Sequence, residues 1–310
     1  MTSNDTNASD AFVEPKPTAS TLAPTRPFYW SVRRELWENR IYIAPLVVAG
    51  VLLFGFLLGA AHPSRHVRMP SLYGPWAIVP YAFVAAVLVI TSLIVSTIYS
   101  LGALYSERRD RSVLFWKSLP VSDSTTVLAK LSIPMVIVPL VTFAIIVILQ
   151  GIMWIVGGAG LMVGGTDGSS SLAQVPLLRM QGLLLYGLFA LTLWNAPLYG
   201  WLFLISGWAK RAPFLWAVLP PIAVSLVEEM AFHTSHFAEL MHDRFNGAIP
   251  AAFAGPAHFI GHPDSPAQIE QAIGIDPVGF VTTPGLWLGL LVAAGFIAAA
   301  VRLRRYREPI

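Results

Sequence analysis

Long apolar stretches alternate with short polar segments over most of the chain. A spanning helix needs roughly 20 apolar residues to cross a ~30 Å hydrocarbon core, and six stretches meet or approach that length. They run over residues 41–60, 76–101, 128–157, 177–208, 214–232 and 285–301. The third and fourth are longer than a span requires, so we expect them to tilt or to protrude. The pattern predicts an all-α polytopic membrane protein with six transmembrane helices.

Prolines interrupt several of the predicted spans. Pro134 and Pro139 lie in the third, Pro197 lies in the fourth, and the adjacent Pro220 and Pro221 lie in the fifth. Each removes a backbone donor and tends to kink a helix. In a transporter such a break can line a cavity; alternatively, neighbouring helices simply satisfy the freed carbonyls.

Two different segments precede the first span. Residues 1–27 are rich in Ser, Thr, Asn and Pro, a composition that predicts a disordered tail because it cannot bury enough surface to fold. Residues 28–40 mix aromatic and charged side chains, and at helical spacing their apolar members fall on one broad side. This favours a helix lying at the membrane surface, although a polar lead-in to the first span would have a similar composition.

Composition narrows the class of protein further. Apolar residues make up 55% of the 310 residues and charged residues 12%, with a mean hydropathy of +0.63. A soluble domain carries about twice that share of charge, so the values exclude a disordered protein, a nucleic-acid-binding domain and an ordinary cytosolic enzyme. The absence of cysteine excludes disulfides, thiolate metal sites and a cysteine nucleophile.

The distribution of basic residues predicts an orientation. With the N-terminus inside, 16 of the 20 Lys and Arg residues fall in cytoplasmic segments. Because basic residues concentrate on the cytoplasmic side, we expect both termini to be cytoplasmic, with residues 303–310 forming a short basic tail. Two of the segments that then lie outside are substantial, residues 158–176 and 233–284. Within the second, residues 235–246 and 265–273 have helical patterns.

The predicted cytoplasmic loop between spans two and three is the most informative segment. Glu107 and Arg111 are four residues apart and can pair along one helical turn. Residues 113–116 are four consecutive apolar residues within this charged loop. Pro120 ends the helix, and Ser122 or Asp123 can cap the next span. Because water is an unfavourable environment for the four apolar residues, they lie either in the membrane interface or in a groove of a cytosolic partner.

Two sequence runs together resemble the permease subunits of bacterial type-two ABC exporters. They are Arg33-Arg34-Glu35-Leu36-Trp37-Glu38 and residues 107–122, which read ERRDRSVLFWKSLPVS. The resemblance implies an interfacial elbow helix at residues 28–40, which includes Arg33, Arg34, Glu35, Trp37 and Glu38. It also implies a permease domain over residues 41–302 and a coupling helix in the loop. The residues that would couple the loop to an ATPase are Glu107, Arg108, Arg109, Asp110, Arg111, Leu114, Phe115, Trp116, Lys117, Leu119 and Pro120.

The resemblance also implies partners. Such permeases pair with a second permease copy in the bacterial inner membrane and are driven by separate cytosolic ATPase subunits. This chain carries no G-x-x-x-x-G-K-[ST] phosphate loop, so we expect it to perform no covalent chemistry and to hold no cofactor. ATP and Mg would bind to the partner subunit, and a neighbouring gene encoding a phosphate loop would support this interpretation. No nucleic acid is expected, and the sequence does not distinguish a lipid, peptide or drug substrate.

A second candidate site lies where the fifth span ends, at Glu228-Glu229-Met-Ala-Phe-His233-Thr-Ser-His236. Glu229, His233 and His236 would share a face of a continuous helix and could hold zinc. The adjacent glutamates also resemble those of intramembrane prenyl-protein endopeptidases, although His233 stands where that family has arginine. A metal-dependent hydrolase is therefore one alternative, and a membrane-anchored sensor or assembly protein is another. The two carboxylates can also simply be hydrated at the membrane boundary, where either could act at an outer gate.

Overall fold

The computed structural model of the chain describes residues 25–40, 43–61, 78–110, 122–163, 175–254 and 274–306. Helices dominate these residues. In chain order they are α1 (Thr25–Asn39), α2 (Ile43–Ala61), α3 (Val79–Gly102), α4 (Tyr105–Arg109), α5 (Asp123–Ser132), a π-helical turn (Ile133–Ile137), α6 (Val138–Val163), α7 (Leu177–Trp194), α8 (Ala196–Trp208), α9 (Pro213–Phe232), α10 (His236–Asn246), α11 (Ala248–Ala252), α12 (Pro277–Thr282) and α13 (Pro284–Tyr306). Strands β1 (Phe253–Ala254) and β2 (Gly274–Ile275) form one antiparallel pair.

Several of these helices are long and apolar enough to cross a membrane. Five such segments lie within the described residues: Val79–Arg109, Asp123–Ala159, Leu177–Trp194, Pro213–Phe232 and Pro284–Tyr306. A sixth is present if α1 and α2, which meet at an angle of 53°, count together as one broken span. The predicted class, a helical polytopic membrane protein, is confirmed, with the two-residue strands as a small addition.

The third apolar stretch forms one long run in which a local adjustment accommodates two prolines. Ser122 caps α5 by accepting a hydrogen bond from the Thr125 amide at 3.1 Å, as predicted. Between α5 and α6 the backbone widens into the π-helical turn, where the Val138 amide donates to the Ile133 carbonyl five residues earlier. Insertions of this kind re-satisfy backbone groups near proline. The segment therefore stays helical through Pro134.

The fourth stretch is not one helix, and the prediction of a single long span over residues 177–208 is wrong. Helix α7 ends at Trp194, Asn195 leaves helical geometry, and Pro197 lies in the first turn of α8. Proline is well tolerated at that position because its missing amide would be unpaired there in any case. Helix α8 then packs tightly along α13, where a Cβ on Gly200 would lie only 3.1 Å from the Ala293 carbonyl.

Helix α9 differs from its neighbours in how little of it is covered. It continues through Pro220 and Pro221, and Ala217 is its buried residue. Large apolar side chains are exposed along its length, among them Phe214, Leu219, Leu226 and Met230. A helix that is apolar all round and uncovered by protein fits a lipid environment.

The segment between α9 and α13 folds back onto the bundle. Helix α10 begins at His236, close to the predicted start at residue 235, whereas the predicted helix at 265–273 lies outside the described residues. Helices α11 and α12 are held in place by an apolar cluster that they form with α7 and α13. Its buried members are Ala190, Trp194, Ala248, Ala252, Phe280 and Leu286. This segment is therefore packed against α7 and the start of α13.

The last helix is longer than the sequence indicated. Helix α13 continues to Tyr306, so the helix extends past the predicted end of the span at 301 and into the segment predicted as a basic tail. The reason lies at Arg304, which is only 7% exposed and forms ion pairs with residues of α4 and α5.

Candidate functional site

A cluster of buried charges lies at the end of the bundle where α1, α3, α4, α5 and α13 meet. We call it the charged cluster, and this end of the molecule the charged end. Its members come from regions far apart in the sequence. They are Arg34, Glu35, Tyr99, Glu107, Asp123, Lys130 and Arg304.

Glu35 projects from α1 into this cluster and is 1% exposed. The Lys130 ammonium lies 2.7 Å from its Oε1, and the Tyr99 hydroxyl donates to its Oε2 at 3.0 Å. The Asn39 amide, one helical turn away, donates to the same Oε2 at 3.1 Å. Both carboxylate oxygens are therefore bonded, which a buried carboxylate requires.

Glu107 on α4 is the second buried carboxylate, and Lys130 links it to Glu35. The Lys130 Nζ lies 3.2 Å from Glu107 Oε1 in addition to its contact with Glu35. Arg304 pairs with Glu107 Oε2, and Arg34 Nη2 lies 3.5 Å from Oε1. One ammonium thus bridges a carboxylate of α1 and a carboxylate of α4, and these elements cannot separate without breaking a buried ion pair.

Arg304 and Arg108 extend the polar contacts to further elements. The Arg304 Nε lies 3.2 Å from Asp123 Oδ1 in the first turn of α5. Arg108 Nη1 donates to the Gly207 carbonyl at 2.6 Å and so satisfies an acceptor near the end of α8. The short helix α4 is therefore bonded to α5, α8 and α13 through its side chains or their common partners.

The structure divides the residues predicted for the elbow and coupling segments. Glu35, Arg34, Glu107 and Arg108 meet at the charged end. Others face away: Trp37 is 77% exposed, and Glu38 is an exposed partner of Arg34 at 3.6 Å. Arg109 pairs with Asp110 at the surface, while Arg33 lies over the Trp30 ring. The remaining predicted coupling residues, 111–120, lie outside the described residues.

Sequence reasoning missed Tyr99, Asp123, Lys130 and Arg304 as members of this site. Lys130 carried the strongest signal, because a charge inside the start of a long apolar stretch is expensive and marks a functional contact by default. Its charge enters the predicted orientation only as one of the 16 basic residues on the cytoplasmic side. Local pattern cannot show that Arg304 will find a buried carboxylate 197 positions away.

The second candidate site, at the far end of α9, has a different geometry from the one predicted. Helix α9 ends at Phe232, and His233 adopts a left-handed conformation with φ of 52°. Glu229, His233 and His236 therefore do not share one helical face, and that prediction is wrong. Within the described part of the chain, no group of three or more His, Asp or Glu side chains is arranged to hold a metal ion.

Glu228 caps the helix that follows. Its Oε1 accepts hydrogen bonds from the Thr234 hydroxyl and the His236 amide, both at 3.0 Å, and its Oε2 accepts from the Phe237 amide at 2.8 Å. The first amides of a helix have no partners within it, so a carboxylate there is favourable. Glu229, by contrast, is exposed.

Arg244 fastens the same region to the bundle. Its guanidinium donates to the Trp194 carbonyl at 3.1 Å and to the Gly285 carbonyl at 2.6 Å, and it lies 4.8 Å from the centre of the Trp194 ring. Partial burial lowers the pKa of Arg244 below its ordinary value, but an arginine remains charged at neutral pH. It joins α10 to the end of α7 and the start of α13.

Comparison of the chain with protein-family models, with curated proteins and with solved structures finds no match. The functional argument therefore rests on the residues and their geometry.

Proposed function

We propose that this chain is the permease subunit of an ATP-driven ABC exporter. It works in the bacterial inner membrane with both termini cytoplasmic, as a pair of permease copies driven by a separate cytosolic ATPase that binds ATP and Mg. The substrate crosses by alternating access, and the chain itself performs no covalent chemistry. The basis is the sequence resemblance at residues 33–38 and 107–122 together with the arrangement of the charged end.

The Lys130 bridge between Glu35 and Glu107 is the observation that carries this proposal. Glu35 belongs to the helix that corresponds to an elbow, and Glu107 begins the loop that corresponds to the coupling element. A partner that pushes on the loop needs a stiff connection to the transmembrane helices, and a buried ion-pair network supplies one because breaking it strands a charge. The Glu35–Lys130 and Glu107–Lys130 contacts, at 2.7 and 3.2 Å, join both elements to α5.

The contacts of Glu228 favour export over the hydrolase alternative. A carboxylate that activates water must face the reacting centre, whereas both oxygens of Glu228 accept hydrogen bonds from the start of α10 and from Thr234. A sensor or assembly role would rest on the segment between α9 and α13 binding an external partner. The packing of Ala248, Ala252 and Phe280 against Ala190 and Trp194 of α7 supports an internal role for that part of the segment.

The decisive experiment targets Phe115 and Trp116, the aromatic residues of the predicted coupling loop. Aromatic residues at the centre of an interface are commonly worth about 2 kcal/mol or more each. We expect the Phe115→Ala, Trp116→Ala double variant to bind its ATPase partner, to be sought as a phosphate-loop protein encoded by a neighbouring gene, at least about thirtyfold more weakly. Substrate-stimulated ATP hydrolysis should fall in parallel.

Trp37→Ala is the matched control, since Trp37 is an exposed aromatic residue that lies on α1, outside the predicted coupling loop. It should leave co-purification and hydrolysis close to those of the wild type. Unchanged association and unchanged stimulated hydrolysis in the double variant would exclude this loop as the coupling element, and the exporter proposal would lose its main support.

A further inference from the structure

One side chain of the charged cluster contacts both sides of the connection between α4 and α5. Arg304 Nη1 pairs with Glu107, in the last described turn before that connection, and Arg304 Nε pairs with Asp123, the first residue after it that is helical. We infer that Arg304 is a positioning residue that ties the two ends of this connection to the last helix, α13.

The geometry requires an arginine. A guanidinium presents several donors in a rigid planar fork and can hold two carboxylates at once, whereas an ammonium is a point charge on a flexible stem. Arg304 is buried, with its side chain 5% exposed, so its position is fixed by its surroundings. Arg304 is therefore a second link between α4 and α5, beside the Lys130–Glu107 pair, and it acts on the first residue of α5.

The two contacts of this tie differ in strength. The Glu107 side chain is 8% exposed and is also held by Lys130 and Arg34. The Asp123 side chain is 28% exposed, and its place in the first turn of α5 is favourable for a carboxylate without Arg304. The Asp123 contact is therefore the one that opens when the two ends move apart, while the Glu107 contact remains.

The tie gives the α4–α5 connection a direct route to α13 that bypasses α1. The opposite end of α13 begins beside Arg244, which donates to the Gly285 carbonyl. Displacement of the connection would thus reach the segment between α9 and α13 through a single helix. The tie itself follows from the contacts, whereas its role in transport rests on the proposed function.

Spin labels can measure the tie because the chain has no native cysteine. Labels at Arg109→Cys and Ser124→Cys, both exposed positions, report the distance between the α4 and α5 ends in the full-length protein in lipid nanodiscs. We expect one narrow distance distribution. Asp123→Asn and Arg304→Lys should each raise the population of longer distances about fivefold, the change expected for loss of one partly exposed charged contact. The double variant should add little to either single change, because both remove the same contact.

Glu38→Gln is the matched control, since it removes a different surface ion pair, with Arg34 at 3.6 Å, and should leave the distribution unchanged. An unchanged distribution in Asp123→Asn overturns the tie, and this variant alone decides if Arg304→Lys fails to fold. The labels need no ATPase, so loss of the exporter proposal would leave this result standing. Conversely, if the labels show that the ends of α4 and α5 are not held together, the co-purification test of the exporter proposal is unaffected.

Discussion

The two ends of the bundle treat their carboxylates in opposite ways. At the charged end, Glu35 and Glu107 are buried and paired with lysine and arginine side chains from α5 and α13. At the far end of α9, Glu228 accepts hydrogen bonds from a hydroxyl and from backbone amides at most nine residues away, and Glu229 is exposed. The first arrangement joins distant elements, whereas the second shapes one local turn.

The comparison shows that joining helices to one another and stabilising the fold are separate effects. Replacing a buried ion pair by well-packed apolar residues is often neutral or stabilising, yet removing one partner is strongly destabilising. A buried charged cluster is thus a poor way to add stability and an effective way to fix how several helices meet. A cap contributes to its own helix and leaves the remainder of the fold largely independent of it.

The largest effect is expected at Lys130. Lys130→Met leaves Glu35 and Glu107 close together in a buried site without the ammonium between them, and we expect the free energy of unfolding to fall by about 3–5 kcal/mol. Thermal unfolding in detergent measures this loss. Lys210→Met, at an exposed lysine, is the control. Adding Glu35→Gln to Lys130→Met should recover part of the loss, and a wild-type unfolding temperature for Lys130→Met alone would contradict the importance of the bridge.

An intermediate and more local effect is expected at Arg244. Arg244→Met removes the donor to the Trp194 and Gly285 carbonyls. We expect the free energy of local opening of this region to fall by about 1–3 kcal/mol, because two acceptors lose their partner. Amide exchange should speed up in α10 and α11 while the charged end keeps its protection.

Gly289→Ala provides an independent check on the Arg244 contact. A Cβ at residue 289 would approach the Arg244 guanidinium to within 2.4 Å, so the same loosening of α10 and α11 is expected. His242→Ala, at an exposed position on α10, is the control. Unchanged exchange in both Arg244→Met and Gly289→Ala would show that Arg244 does not fasten this segment.

The smallest effect is expected at Glu228. Glu228→Ala removes the acceptor for the first amides of α10, so the His236 and Phe237 amides should exchange severalfold faster while the global unfolding temperature stays close to that of the wild type. Glu229→Ala should change neither quantity. A collapse of global stability in Glu228→Ala would mean that the far end is as strongly connected as the charged end, and the contrast between the two ends would be lost.

Local pattern predicted the features of this fold that local chemistry determines. The apolar stretches, the Ser122 cap and the start of α10 near residue 235 all follow from neighbouring residues. The end of α9 could not be predicted in this way. His233 adopts a left-handed conformation there, and glycine, the residue that usually signals such a helix end, is absent from that position. The break at Asn195 was only suggested by Pro197 two residues later.

The charged cluster was beyond prediction for a different reason. Glu35 and Glu107 were singled out as parts of two separate segments, and nothing in either segment indicates that Lys130 lies between them. Contacts between residues 35 and 130, or 107 and 304, depend on how the helices pack in three dimensions. The residue types are visible in the sequence, but their partners become visible only in the folded chain.

The dependence of the charged cluster on Arg304 has a consequence for biosynthesis. The contact between Glu107 and Arg304 joins residues 197 positions apart, so ribosomes must complete almost the whole transmembrane region before Glu107 gains this partner. Until then Glu107 on α4 lacks one of its final partners. A nascent chain arrested before its last helix would retain a hydrated, loosely packed charged end. The cluster thus closes last and makes assembly of the bundle depend on synthesis of α13.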